Sequence, residues 1–187
     1  MSEDALIEAA VRRAETEGWT QETLRRALED TGEPPDMLAS AFPGGVTGAI
    51  EAWCALVDRR MEEAALAEDI SGLRTPERIR AVVALRLALV EPHREALRAA
   101  MALLSLPWNL PVAARCTARS VSAIWYAAGD RSSDFSWYTR RATLAAIYAA
   151  TLAYWLRPTA PDIESALEFL DRRLADLPRP APKPSAA

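Results

Sequence analysis

A chain of 187 residues with a formal net charge of −4 has room for one principal core, and its surface as a whole repels nucleic-acid backbones. Half of the residues are hydrophobic and only 7 are Gly. Between the prolines the chain is dominated by Ala, Leu, Glu and Arg, so an all-α protein is expected. Cys54 and Cys116 lack metal-ligand spacing and the N-terminus lacks a signal-peptide pattern, which points to a reduced, cytoplasmic setting. A disulfide would require the fold to bring the two thiols together.

The predicted elements follow one another with few gaps. Ser2 is placed to cap a first helix over 3–16, with Leu6, Ile7, Ala10, Val11 and Ala14 as its buried stripe and Gly18 at its end. Thr20 caps a second helix carrying Leu24, Ala27 and Leu28, which Gly32 stops. Pro34 and Pro35 open a short third helix with Met37, Leu38 and Phe42, before the break at Pro43-Gly44-Gly45. Three short helices ahead of a long one are the layout of a helix-turn-helix head (1–45) on a helical body (46–177). A fourth helix over 46–69 keeps Ile50, Trp53, Cys54, Val57, Met61 and Leu66 at helical spacing.

Thr75 caps a fifth helix with Pro76 in its first turn, and Ile79, Val82, Val83, Leu85, Leu87, Leu89 and Val90 make it central. Pro92 marks a sixth helix over 93–104. The run from Ala99 to Ala114 carries no charge but is broken by Pro107, Asn109 and Pro111, so it is too short to span a membrane. It is either a buried connection or a lip touching acyl chains through Trp108. A seventh helix over 112–128 is rich in small residues that permit close packing. The stretch Gly129 to Arg141 is a tight joint, with Ser132 or Ser133 as cap and Asp134 at the positive end of the next helix dipole. The eighth helix, over 134–156, is apolar nearly all round and is therefore expected to be shared with a partner or ligand. Trp137 and Tyr138 lie about 100° apart on it and cannot both face one core stripe. A ninth helix over 162–176 follows Pro161, and 178–187 reads as a disordered Pro-rich tail.

Several chemistries lack their residues. His93 is the only histidine, too few for a diiron bundle, a zinc site or a triad, and it reads as a surface or capping residue. No glycine-rich phosphate loop is present, so neither a metal, a cofactor nor an intrinsic enzyme activity is expected. Residues 32–45 contain Glu33 and Asp36 and no basic residue, so a recognition helix there would meet phosphates with the wrong charge. Arg12, Arg13, Arg25 and Arg26 sit beside carboxylates and read as a solvated face. The head looks like a helix-turn-helix that does not bind DNA.

The segment GDRSSDFSWYTRRATLAAIYAATLAYW closely resembles the signature of the ninth coenzyme Q biosynthesis protein family. Shorter matches include Gly18-Trp19-Thr20, Phe42-Pro43-Gly44-Gly45, Asp58 with Met61, Arg86-Leu87 and Phe169-Leu170-Asp171-Arg172-Arg173; together they cover most of 18–173. The resemblance implies a bundle of about nine helices like the TetR regulators, with a degenerate helix-turn-helix head. It also implies a non-enzymatic accessory role in ubiquinone synthesis: binding an isoprenoid quinone precursor or phospholipid and presenting it to a pathway hydroxylase. The partner patch it implies maps onto Ile124, Tyr126, Trp137 and Tyr138, to which we add Asp134. Leu85, Leu89, Met101, Leu104, Trp108, Leu144 and Ile147 are the candidate lipid contacts. The sequence departs from the family at Ser122, where an acidic residue is usual, and at Arg157-Pro158. Its Pro-rich end also stands where longer members have an amphipathic membrane helix. Transient membrane contact, on the inner face of the cell membrane, would then fall to the Ala99 to Ala114 run. A homodimer through helices seven and eight is expected from the small residues. The alternative is a ligand-sensing transcriptional regulator of the TetR type.

Overall fold

The computed structural model describes residues 2–129 and 136–176, with the side chains of Ser136 and Trp137 left undescribed. Among these residues there are nine α-helices, three short 3-10 turns and no strand. The head comprises α1 (Glu3–Glu17), α2 (Gln21–Asp30) and α3 (Leu38–Ala41). The body comprises α4 (Gly45–Ala67), α5 (Thr75–Val90), α6 (Arg94–Leu104), α7 (Leu110–Ala127), α8 (Ser136–Trp155) and α9 (Ile163–Ala175). The cap expected of Ser132 or Ser133, the place of Asp134 and the tail at 178–187 lie outside the described residues.

Local chemistry accounts for most boundaries. The Thr20 hydroxyl accepts from the Thr23 N–H at 3.0 Å, and the Asp162 carboxylate accepts from the Ser165 N–H at 2.8 Å, each filling an orphan donor of a first turn. Gly18 closes α1 with φ 73°, a backbone that favours glycine. Two caps differ from expectation. Thr75 is the first residue of α5 and Arg74 holds the cap position, its N–H donating to the Glu77 carboxylate at 3.0 Å. Ser2 stands at the start of α1 without a side-chain cap bond. Leu66 is 86% exposed, because Ala65 takes the last place on the buried stripe of α4 and its neighbour is turned roughly 100° away.

Head and body share one hydrophobic core. Helix α1 packs on α2, α4 and α6. The Trp19 indole donates to the Ala96 carbonyl at 2.9 Å and its ring lies 5.7 Å from that of Trp53. His93, at the start of α6, pairs with Glu15 of α1. Arginines close two helix ends in the body. Arg94 donates to the carbonyls of Trp155 and Pro161, and Arg98 to that of Leu156 at 3.1 Å, so α6 satisfies the orphan acceptors at the end of α8. Arg78 of α5 does the same for α7 through the Ala128 carbonyl at 3.2 Å.

Helix α8 is two-sided despite its composition. Leu144, Ile147, Tyr148, Thr151, Leu152 and Trp155 are buried, whereas Ala142, Ala146, Ala149, Ala150 and Ala153 are exposed. Alanine on the outer face is what makes the helix read as apolar all round. The small residues of α7 divide similarly: Ser120 and Ala123 pack inward, and Ala114 and Ala118 are exposed.

Candidate functional site

A cavity of about 180 Å³ lies between α4, α5, α6, α7 and α8. Its apolar walls come from Ile50, Trp53 and Val57 of α4, Leu97, Ala100, Met101 and Leu104 of α6, Ala113 of α7 and Leu152 of α8. Ser105 and Leu110, on either side of the Pro107–Asn109 turn, also line it. That turn carries Trp108, 73% exposed, and Leu110 is itself 52% exposed. The uncharged run thus supplies both a cavity wall and an exposed aromatic beside it.

Polar groups also lie buried in the cavity wall. Arg86 donates to Asp58 at 3.1 Å, with an ion-pair approach of 2.9 Å, and to the Ser120 hydroxyl at 2.9 Å, while that hydroxyl donates to the second Asp58 oxygen at 3.1 Å. The triangle is closed: each member bonds both others. Paired and hydrogen-bonded charges are the form in which a core tolerates ions. The Arg86 guanidinium also sits 5.5 Å from the centre of the Tyr148 ring. The Tyr148 hydroxyl is buried without a hydrogen-bond partner among the described residues, and burial pushes its ionisation up to about 12. Cys54 and Cys116, remote in sequence, both line this cavity. The fold does bring the two thiols together.

Of the sequence-derived lipid contacts, Met101 and Leu104 line the cavity. Leu144 and Ile147 are buried in the core outside it, and Leu85 and Leu89 are half-buried outside it. Sequence reasoning missed Arg86, Ser120 and Tyr148. A signal was available for Arg86, the one charged residue between Arg80 and Glu91 in an otherwise apolar helix. Of the partner patch, Tyr126 and Tyr138 are 62% and 73% exposed. Ile124 is a correction: it is fully buried, because it continues the stripe Cys116, Ser120, Ile124, Ala128 that α7 turns inward at four-residue spacing. Asp134 and the Trp137 side chain lie outside the described residues. His93 is half-buried and holds α6 to α1 through Glu15; it makes no side-chain cap bond and stands away from the cavity.

Helix α3 is a single turn whose residues are all at least partly exposed, preceded by a 3-10 turn that contains Asp36. The prolines on either side leave no length for a groove-reading helix. Arg12, Arg13, Arg25 and Arg26 each sit within 4.0 Å of a carboxylate. No helix of the described residues is long and apolar enough to cross a membrane.

A reduced three-helix head on a cavity-bearing helical body is the architecture of the TetR regulators. The fold matches the crystal structure of the TetR transcriptional regulator from Nitrosomonas europaea with a TM-score of 0.71, covering 92% of this chain and 95% of that one at 22% identity. The sequence carries the more particular relationship: the COQ9 family model matches residues 110–179. The chain is 31% identical over 178 residues to the human ubiquinone biosynthesis protein COQ9, mitochondrial, covering 91% of this chain and 56% of that protein. The rat protein of the same name is also 31% identical, with 91% and 57% covered, and that of Xenopus tropicalis is 38% identical over 102 residues, with 54% and 32% covered. The chain thus carries the COQ9 domain and is a relative of the COQ9 proteins. It spans a little over half the length of the human and rat relatives.

Proposed function

We propose that this protein is a non-enzymatic lipid-binding accessory factor of ubiquinone biosynthesis, which holds an isoprenoid quinone precursor or phospholipid and presents it to a pathway hydroxylase. The observation that carries the reading is the apolar cavity with one buried polar wall, in a chain related to proteins named for ubiquinone biosynthesis. At about 180 Å³ the cavity is below the roughly 300–1,000 Å³ of pockets that enclose a drug-sized ligand. It suits one end of such a ligand, a quinone ring or a segment of apolar chain, with the remainder leaving past Ser105 and Leu110. Trp108 beside that point gives the ligand a route from a bilayer, since an amphipathic indole settles at the headgroup level. Tyr126 and Tyr138 supply the exposed surface for the hydroxylase.

Solvent extraction of purified protein followed by mass spectrometry is expected to release an isoprenoid or phospholipid. The Ala113→Phe variant, which puts a phenyl ring into the cavity, is expected to keep its circular dichroism and lose that lipid. Lipid-free preparations that also refuse added quinone lipids would sink the reading.

A further inference from the structure

Cys54 and Cys116 are the chain's two cysteines, and the functions derived above use neither. Their juxtaposition follows from the register of α4 against α7. Glu51 meets Arg115 at 3.1 Å, and Asp58 meets Ser120 at 3.1 Å, so residue numbers rise together along the seam. Cys54, three residues beyond Glu51, therefore faces the level of 116–117, one helical turn before the Asp58–Ser120 contact. Both thiols line the cavity. Cys116 is 5% exposed and Cys54 is half-buried. The neighbouring Cys54 thiol holds the Cys116 thiol below its ordinary range against the effect of burial. The neighbouring Cys116, with burial, holds the Cys54 thiol well above that range.

We propose that Cys54 and Cys116 form a dithiol on the cavity wall, and that a 1,4-quinone seated in the cavity oxidises them to an intramolecular disulfide while becoming a hydroquinone. The step rests on the lipid-cavity reading with a quinone-headed ligand. Two S–H bonds break and one S–S bond forms; the two electrons and two protons pass to the two quinone oxygens, so the bound quinone is the whole oxidant. One sulfur adds as the thiolate to a ring carbon of the quinone; the other then attacks that sulfur, the new C–S bond breaks with its electron pair returning to the ring, and the protons of both thiols end on the two oxygens of the hydroquinone. The reaction is stoichiometric, one quinone per chain, until a reductant reopens the disulfide. The bond also ties α4 to α7 across the wall that carries Ile50 and Ala113, so ligand oxidation state and cavity shape become linked.

The test uses the full chain, reduced, stripped of reductant under argon and mixed with 2,3-dimethoxy-5-methyl-6-decyl-1,4-benzoquinone. Binding is followed by quenching of tryptophan fluorescence, to which Trp53 in the cavity wall contributes. Thiols are counted after acid quench and denaturation, and diamide is run in parallel. The expected result is quenching, loss of both thiols, a mass decrease of about 2 Da and one equivalent of hydroquinone. Neither Cys54→Ser nor Cys116→Ser should form hydroquinone, with circular dichroism confirming that each is folded. Quenching with both thiols intact overturns the inference and leaves the lipid-binding reading standing. A thioether adduct on a single cysteine overturns it also, as does failure of diamide to close the bond, since the sulfurs then cannot meet. Absence of quenching together with intact thiols overturns the inference and, where solvent extraction also releases no lipid, the lipid-binding reading with it.

Discussion

Replacing Arg86 by Met removes the cation from the buried triangle while keeping much of the side-chain volume. The magnitude follows from the geometry. Asp58 and Arg86 have side chains 6% and 5% exposed, and Arg86 supplies two of the Asp58 contacts and one to Ser120. After the change Asp58 keeps the Ser120 hydroxyl at 3.1 Å and a distant Arg119 at 3.8 Å. Stranding a buried charge in this way costs about 3–5 kcal/mol. For a chain of this size each kcal/mol shifts the melting midpoint by roughly 2–4 °C, so a fall of about 6–20 °C is expected. The double variant Asp58→Leu with Arg86→Met should recover most of the stability, since a hydrophobic replacement of a buried pair is often neutral or better. Urea and thermal unfolding by circular dichroism at pH 7 measure each quantity. A single variant within about 1 kcal/mol of the parent, or a double variant worse than the single, would refute the closed triangle.

Further outcomes follow from individual side chains. Because the folded-state ionisation of Tyr148 is raised from 10.0 to about 12, the folded protein is favoured below pH 10 and loses that contribution as pH rises to 12. About 3 kcal/mol should disappear over that interval in alkaline unfolding titrations, and Tyr148→Phe should remove this component. Gly129→Ala should destabilise by about 1–3 kcal/mol, since φ is 83° and a Cβ would stand 2.9 Å from Arg78 Nη1. Adding Arg78→Ala should relieve the clash and leave the backbone part, which thermal unfolding of the two variants separates. Tyr126→Ala with Tyr138→Ala should shift stability by no more than about 0.5 kcal/mol, both being exposed, while weakening capture of the hydroxylase in a pull-down. A large loss of stability would show that these rings are structural.

Helix existence was legible because apolar residues recur at helical spacing and prolines and glycines punctuate the gaps. The stripes of α1, α2 and α9 are the plainest cases. The cavity was not legible for a physical reason: Met101 and Leu144 have the same apolar character, and only the tertiary path of the chain decides that one lines a void and the other fills the core. Ile124 could have been placed correctly, since it sits four residues after Ser120 on a stripe that ends at Ala128. Asp58 and Arg86 are legible one at a time as charges on apolar helices, but their pairing depends on α4 and α5 meeting, which no local pattern encodes. The same holds for Cys54 and Cys116, whose contact arises from the register of two helices about sixty residues apart.

Helix α6 is fastened at three points that have nothing to do with the cavity it walls. Trp19 holds its Ala96 carbonyl, Glu15 holds the His93 that precedes it, and its own Arg94 and Arg98 grip the carbonyls at the end of α8. Swinging α6 outward to admit a bulky guest would break all of these together and uncover buried acceptors, each costing about 1–3 kcal/mol. The Pro107–Asn109 turn is tied down far less, by the Asn109 amide on the Leu103 carbonyl at 2.9 Å and by its own short-range backbone bonds. The energetically cheap hinge is therefore at the Trp108 end, so the molecule would yield to a guest there first, with the head and the end of α8 serving as a fixed frame.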